Sequence, residues 1–251
     1  MLDQYPVFDS HLHIINRHFP LVENQGFLPE EYSCDDYMGR MARYNLRGGA
    51  VVSGSFQAFD QLYLKSALSI LGSNFFGVTQ LPVNVPDSEI EALNKIGVKA
   101  VRFNLFRGGS ESITELEIMA NRIFDIAGWH IELYLDSCML PALYQTLINL
   151  PKVSIDHLGL THSGFSTLVK LVEKGVHVKA SGFSRLDFDV RGALQTLNAA
   201  NPSSLMFGSD LPSTRAPKKY SDDDFLVVLD ALEEQDARRV LCKNALQFYG
   251  R

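Results

Sequence analysis

Cysteine is scarce in this chain. Cys34, Cys138 and Cys242 are too few and too widely spaced for a disulfide framework. That pattern suits a reducing compartment. No apolar run approaches the roughly 18 residues needed to span a bilayer. Met1-Leu2-Asp3-Gln4 has neither the basic nor the apolar segment of a secretion signal. The expectation is a cytoplasmic protein with no membrane partner. Positive charge is not in excess either. Lys and Arg total 23 against 29 Asp and Glu, a net charge of -6. With no basic stripe, nucleic acid is a poor partner. No Pro/Gly/Ser linker, low-complexity run or repeat divides residues 1–251, so one domain is expected.

What is present is alternation. Short β-branched, apolar runs fall at 6–10, 49–54, 75–81, 98–104, 131–136, 152–156, 176–181 and 204–209. Between them lie stretches with apolar residues three and four apart, the helical spacing. These cover 34–44, 61–71, 87–95, 113–127, 140–149, 165–173 and 190–199, with 222–234 and 236–248 closing the chain. Gly97, Gly128 and Gly175 sit where helices should stop. Eight strand-helix units in 251 residues match a single (β/α)8 TIM barrel, of the α/β class. The rival, a doubly wound open sheet, usually carries Gly-x-Gly-x-x-Gly after its first strand. Here His11-Leu12-His13 stands in that place.

In a barrel the chemistry gathers at the C-terminal ends of the strands. His11 and His13 share a face of the first strand, because strand side chains alternate. Ser53, Ser55 and Gln57 follow the second strand, and Gln80 the third. The fourth brings Arg102 and Asn104, with Arg107 just beyond. The fifth brings Glu132, Tyr134 and Asp136, and the sixth ends in Asp156-His157. The seventh brings Lys179 and Ser181, with Arg185 shortly after. The last ends in Gly208-Ser209-Asp210, and Arg215 follows. Each alone has a plain structural reading, as an ion-pair partner or a core histidine. So many ionisable groups at strand ends are hard to explain that way, because each buried one needs a partner. His18, His162 and His177 read as incidental, and His130 sits at the start of the fifth strand, about four residues too early to reach the mouth.

Six segments carry a resemblance. They are Phe8-Asp9-Ser10-His11-Leu12-His13, 97–104, 128–136, Ile155-Asp156-His157-Leu158-Gly159, 178–185 and Met206-Phe207-Gly208-Ser209-Asp210-Leu211-Pro212. In order, and nearly one per strand, they resemble the amidohydrolase superfamily. The likeness is to its branch of small TIM-barrel hydrolases, the 2-pyrone-4,6-dicarboxylate lactonases and their relatives. That resemblance implies hydrolysis of a cyclic ester. It makes Asp210 the general base for water, and His11, His13 and His157 the groups that polarise the carbonyl. Arg102 and Arg185 would hold substrate carboxylates, with Tyr134, Arg107 and Arg215 lining the substrate site. Where the family commonly has tryptophan after the aspartate, this chain has Leu211.

Elementary chemistry runs the same way. Lactone opening needs an activated water and donors for the growing oxyanion. Arginine forks suit planar carboxylates. No Gly-x-Ser-x-Gly elbow supplies a serine nucleophile. The expected partner is a small anionic lactone; pyrone, furanone and sugar-acid lactones remain open, as does homo-oligomer formation. The expected cofactor is none, or a single divalent metal (zinc or manganese) on His11, His13 and Asp210. No strand-five histidine completes the superfamily's usual mononuclear set. The alternatives are a zinc-dependent amidohydrolase or decarboxylase of the same superfamily, and a non-catalytic carboxylate-binding barrel.

Overall fold

The computed structural model describes residues 2–250. Eight parallel strands pair in chain order. They are β1 (Pro6–Leu12), β2 (Asn45–Val52), β3 (Phe75–Thr79), β4 (Val98–Asn104), β5 (His130–Tyr134), β6 (Val153–Ile155), β7 (His177–Ala180) and β8 (Leu205–Phe207). The connections carry α1 (Cys34–Met41), α2 (Leu62–Leu71), α3 (Asp87–Lys95), α4 (Leu116–Ala127), α5 (Leu140–Asn149), α6 (Phe165–Glu173) and α7 (Val190–Ala200). After β8 come α8 (Asp222–Ala231), α9 (Glu234–Arg238) and α10 (Asn244–Tyr249). This is the (β/α)8 barrel that the strand count anticipates. No helix among the described residues is long and apolar enough to cross a membrane.

Strand alternation sorts the core. On β2 and β4, Val51, Val101 and Phe103 belong to the large apolar layer that the helices cover. Their neighbours Ala50, Val52 and Ala100 belong to a second cluster with Phe8, Phe76, Val78 and Met206. The C-terminal segment completes this second cluster with Cys242, Ala245, Phe248 and Tyr249. Phe8 and Phe76 both stack on Tyr249, at 5.5 and 5.6 Å between ring centres. Aromatic rings thus plug the N-terminal end of the barrel, away from the strand ends that carry the polar residues.

The seam between β8 and β1 is closed by the residues that follow β8. The Asp210 amide donates to the His11 carbonyl at 2.7 Å, and the His13 amide donates to the Leu211 carbonyl at 2.8 Å. Asp9 stitches the same seam. Its carboxylate accepts from the Ser209 amide (2.8 Å) and hydroxyl (2.6 Å), and from the Tyr37 hydroxyl (3.2 Å). Burial nevertheless pushes the Asp9 carboxyl up to about 6, against those donors.

Element ends depart from expectation where long-range contacts decide. β2 runs Asn45–Val52 rather than 49–54, because Asn45 and Leu46 pair with Pro6 and Val7. Gly48, inside this longer strand, marks a close crossing. A Cβ on Gly48 would lie 2.1 Å from the Asn74 carbonyl oxygen. α8 stops at Ala231 because Leu232 turns extended. The last expected helix is divided by a π-helical turn, Arg239–Lys243, whose Val240, Leu241 and Cys242 are buried. The side chain of Asn244, just beyond that turn, donates to the carbonyls of Pro202 and Leu205.

Candidate active site

The C-terminal strand ends converge on one carboxylate oxygen. Asp210 Oδ1 lies 3.8 Å from His11 Nε2, 3.6 Å from His13 Nε2 and 3.9 Å from His157 Nε2. Those gaps are too long for direct hydrogen bonds. The packing at β8 permits the approach only because residue 208 is glycine: a Cβ there would sit 2.7 Å from His11 Cβ. Asp210 and His157 both have left-handed backbone, with φ of 59° and 48°. Such conformations cost energy in non-glycine residues and persist where surrounding bonds enforce them. The Asp210 backbone is held by its amide bond to His11.

The other oxygen, Asp210 Oδ2, is taken by Arg185 through Nε (2.9 Å) and Nη2 (2.7 Å). Burial alone would raise the Asp210 carboxyl. Arg185 and the histidines override it and hold the group well below the usual carboxylate range. His157 is driven the opposite way. Burial pulls it down to about 4 despite Asp210 and Asp156 nearby, so it is neutral at pH 7.

Ring nitrogens on the far side of each histidine set what faces Asp210. His13 Nδ1 lies 2.7 Å from the Val52 carbonyl, which only accepts, so Nδ1 carries the proton. A neutral His13 therefore presents a lone pair at Nε2. His157 Nδ1 pairs with the Ser181 hydroxyl at 2.9 Å, which can donate or accept. His11 Nδ1 looks down into the barrel, toward Asp156, Glu132 and Lys179. Its Nε2 is fully buried and has no hydrogen-bond partner.

A cleft of about 380 Å³, part of it open to solvent, lies above these groups. His13, His157, Asp210, Arg102, Arg185, Tyr134, Arg107 and Arg215 all line it, and the fully buried His11 lies beneath. The structure thus brings together every residue singled out from the sequence as catalytic or substrate-binding. Arg102 and Arg185, expected to hold substrate carboxylates, also have partners within the protein. Arg102 is tied to Asp156 Oδ2 (3.2 and 2.7 Å) and to the Ser53 carbonyl (2.9 Å). Arg185 is tied to Asp210 and to the Thr214 carbonyl (2.8 Å). Arg107 and Arg215 form no ion pair among the described residues. Arg215 bonds instead to Asn24 and lies over the Phe27 ring. Burial and the neighbouring Arg107 pull the Arg215 guanidinium down.

Other strand-end residues prove structural. Gln57 donates to the Ile14 carbonyl, and Gln80 to those of Ala58 and Gly109. Asp136 caps the turn at Ser137–Met139 and accepts from Thr161. His130 and His177 pack on Phe248 at the closed end, and His162 stacks on Phe165 away from the cleft. Two contributors had no role in the sequence reading. Asp9 secures the seam that carries Asp210, and Phe56 packs edge-on against His13. A buried acid two residues before His-x-His was the available signal for Asp9.

His11, His157 and Asp210 offer ligand atoms within 4.8 Å of one another, a spacing that suits one zinc-sized ion. His13 is also prepared as a ligand, since its remote nitrogen donates to a carbonyl. His11 is not: its remote nitrogen faces the Lys179 side chain at 3.3 Å rather than an aligned acceptor. Within the three-residue set expected from the sequence, His11, His13 and Asp210, His11 thus lacks the support that His13 has.

A family model for amidohydrolases matches residues 8–251. The chain belongs to the amidohydrolase family. Among curated proteins it is similar to a 2-pyrone-4,6-dicarboxylate hydrolase of Comamonas testosteroni, with 28% identity over 162 residues. That match takes in 60% of this chain and 51% of the relative, so the chain spans about half the length of the curated relative it matches. Among solved structures, a candidate 2-pyrone-4,6-dicarboxylic acid hydrolase from Pseudomonas putida superposes with a TM-score of 0.84 at 26% identity. The match covers 100% of this chain and 98% of that one. A similar candidate from Acinetobacter baumannii, with citric acid bound, also gives 0.84, covering 98% and 99% of the two chains. Its 19% identity shows the shared fold alone.

Proposed function

We propose that this amidohydrolase-family barrel is a hydrolase that opens a small carboxylated lactone, with Asp210 as the base. The observation that carries the reading is Asp210 Oδ1 ringed by three imidazole nitrogens at 3.6–3.9 Å, in an arginine-lined cleft. The names of the Comamonas and Pseudomonas relatives support the substrate class.

The ring nitrogens divide the work. His13 Nε2 and Asp210 Oδ1 both accept, so a water between them donates a hydrogen bond to each and aims a lone pair outward. As that water attacks the lactone carbonyl, Asp210 takes one proton. The carbonyl oxygen gains charge and is met by the Nε2–H of His11, and by that of His157 when its Nδ1 accepts from the Ser181 hydroxyl. Collapse breaks the ring C–O bond, and the freed oxygen takes up the proton that Asp210 holds. Arg185 as found weakens Asp210 as a base. A substrate carboxylate that draws the guanidinium away leaves Asp210 a stronger one, which favours anionic lactones. Arg107 and Arg215, with no carboxylate partner in the described protein, are the other anchors for substrate charge.

The test is a lactone panel at pH 7. Carboxylated lactones should show kcat/KM roughly 10- to 150-fold above uncharged ones, the value of one charged hydrogen bond. If no carboxylated lactone opens, or uncharged ones open equally well, the reading fails.

A further inference from the structure

Five side chains meet under the cleft: Lys179 from β7, Glu132 from β5, Arg102 from β4, Asp156 just after β6, and His11 from β1. None is more than 3% exposed. Lys179 bonds to Glu132, and its Nζ stands 3.6 Å from Asp156 Oδ1 and 3.3 Å from His11 Nδ1. His11, Glu132 and Asp156 offer a three-ligand cation cluster, and these contacts put the lysine head group among them. Two cations, Lys179 and Arg102, are already buried beside Glu132 and Asp156, and a charged His11 would add a third, which disfavours its protonation.

Neutral imidazole holds one proton, and its place depends on what faces Nδ1. Asp156 Oδ1 lies 3.2 Å from Nδ1 but makes no aligned hydrogen bond. The bond that does form is from Lys179 Nζ. A lysine ammonium can only donate, so Nδ1 must accept and the proton sits on Nε2. That is the atom pointing at Asp210 with no partner of its own.

We propose that Lys179 is a positioning residue that fixes His11 as the Nε2–H tautomer, a hydrogen-bond donor to the cleft rather than a metal ligand. Glu132 holds Lys179 in that place. The pair reverses the usual support of a metal-binding histidine, whose remote nitrogen donates to a carboxylate or carbonyl. In this chain His13 has the usual support and His11 the reverse. The consequence for catalysis rests on the lactonase reading above; the tautomer itself does not.

The test is long-range proton–nitrogen NMR on the full chain with 15N-labelled histidine, assigning His11 by the signals lost in His11→Gln. The expected result is a protonated Nε2 and a bare Nδ1. A protonated Nδ1, alone or together with Nε2, overturns the proposal. The double variant Lys179→Met/Glu132→Leu removes the pair without stranding a charge. Its His11 should move the proton to Nδ1, toward Asp156, and zinc affinity should rise at least roughly 10-fold. A lowered Tm with unchanged tautomer and zinc affinity would show a merely structural lysine and overturn the proposal. The wild-type spectrum decides even if the variant does not fold. Failure of the lactone panel leaves the tautomer result standing, so the two readings fail separately.

Discussion

The two ends of the barrel interior solve the problem of filling a barrel in opposite ways. The N-terminal end is packed with Phe8, Phe76, Phe248 and Tyr249, apart from His130 and His177 at its edge. The C-terminal end is packed with Arg102, Glu132, Asp156, Lys179, His11 and Asp210, all nearly or wholly buried. Apolar rings need only contact. Charged groups need partners in matched number, and a few atoms are left short of hydrogen bonds: His11 Nε2, Glu132 Oε1 and Asp156 Oδ1 make none. Burial and the neighbouring Asp156 push Glu132 up to about 7, against Lys179 and Arg102. One end stabilises the fold and the other stores reactivity, the division expected of this architecture.

Asp210→Asn should have the largest effect. It keeps the shape and removes the base, so kcat for a carboxylated lactone should fall at least roughly 100-fold with the circular dichroism spectrum unchanged. Near-normal turnover would take Asp210 out of the chemistry. The counterpart at the closed end is Phe248→Ala. It should cost about 3–5 kcal/mol in urea unfolding while leaving kcat/KM, measured on folded protein, nearly as it was. A large loss of kcat with little loss of stability would erase the distinction between the ends.

Arg185→Met sharpens the picture at the open end. Losing a charged bond to substrate should lower kcat/KM by roughly 10- to 150-fold for carboxylated lactones and far less for uncharged ones. Arg185 also holds Asp210 well below the usual carboxylate range. Activity needs ionised Asp210, so removing the guanidinium should move the acid limb of the rate profile to higher pH. An unmoved limb would mean that Arg185 does not tune the base.

The smallest effect compares two histidines. Burial depresses His157 at the open end and His177 at the closed end, each to about 4. Unfolded, each takes a proton near pH 6.5, so folding stability should fall as pH drops from about 6.5 to about 4. Each contributes a slope of up to ~1.4 kcal/mol per pH unit. Asp9, raised to about 6, works in the opposite sense over the same range, so the comparison is between variants. His157→Gln and His177→Gln should both flatten the acid limb of stability, but only His157→Gln should slow turnover.

The fold was legible because β-branched runs and helical spacing alternate eight times, and the site because its polar groups sit at strand ends. What escaped the sequence lies in long-range geometry. Nothing near Arg102 or Arg185 in the chain says that Asp156 or Asp210 will occupy them. The start of β2 at Asn45 was not legible, because the Asn74 carbonyl that Gly48 must clear is 26 residues away. The last helix read as continuous because periodicity does not register a π turn. The direction of His11 is set by Lys179, 168 residues later, and no local pattern carries that.

On this reading the open end works through fixed donors and one base rather than through a resident cation. Prolonged dialysis against a strong chelator, followed by metal analysis and turnover of a carboxylated lactone, tests it most directly. The account predicts undiminished kcat in protein holding far less than one metal ion per chain. Activity that is lost on chelation and restored by zinc or manganese would contradict it.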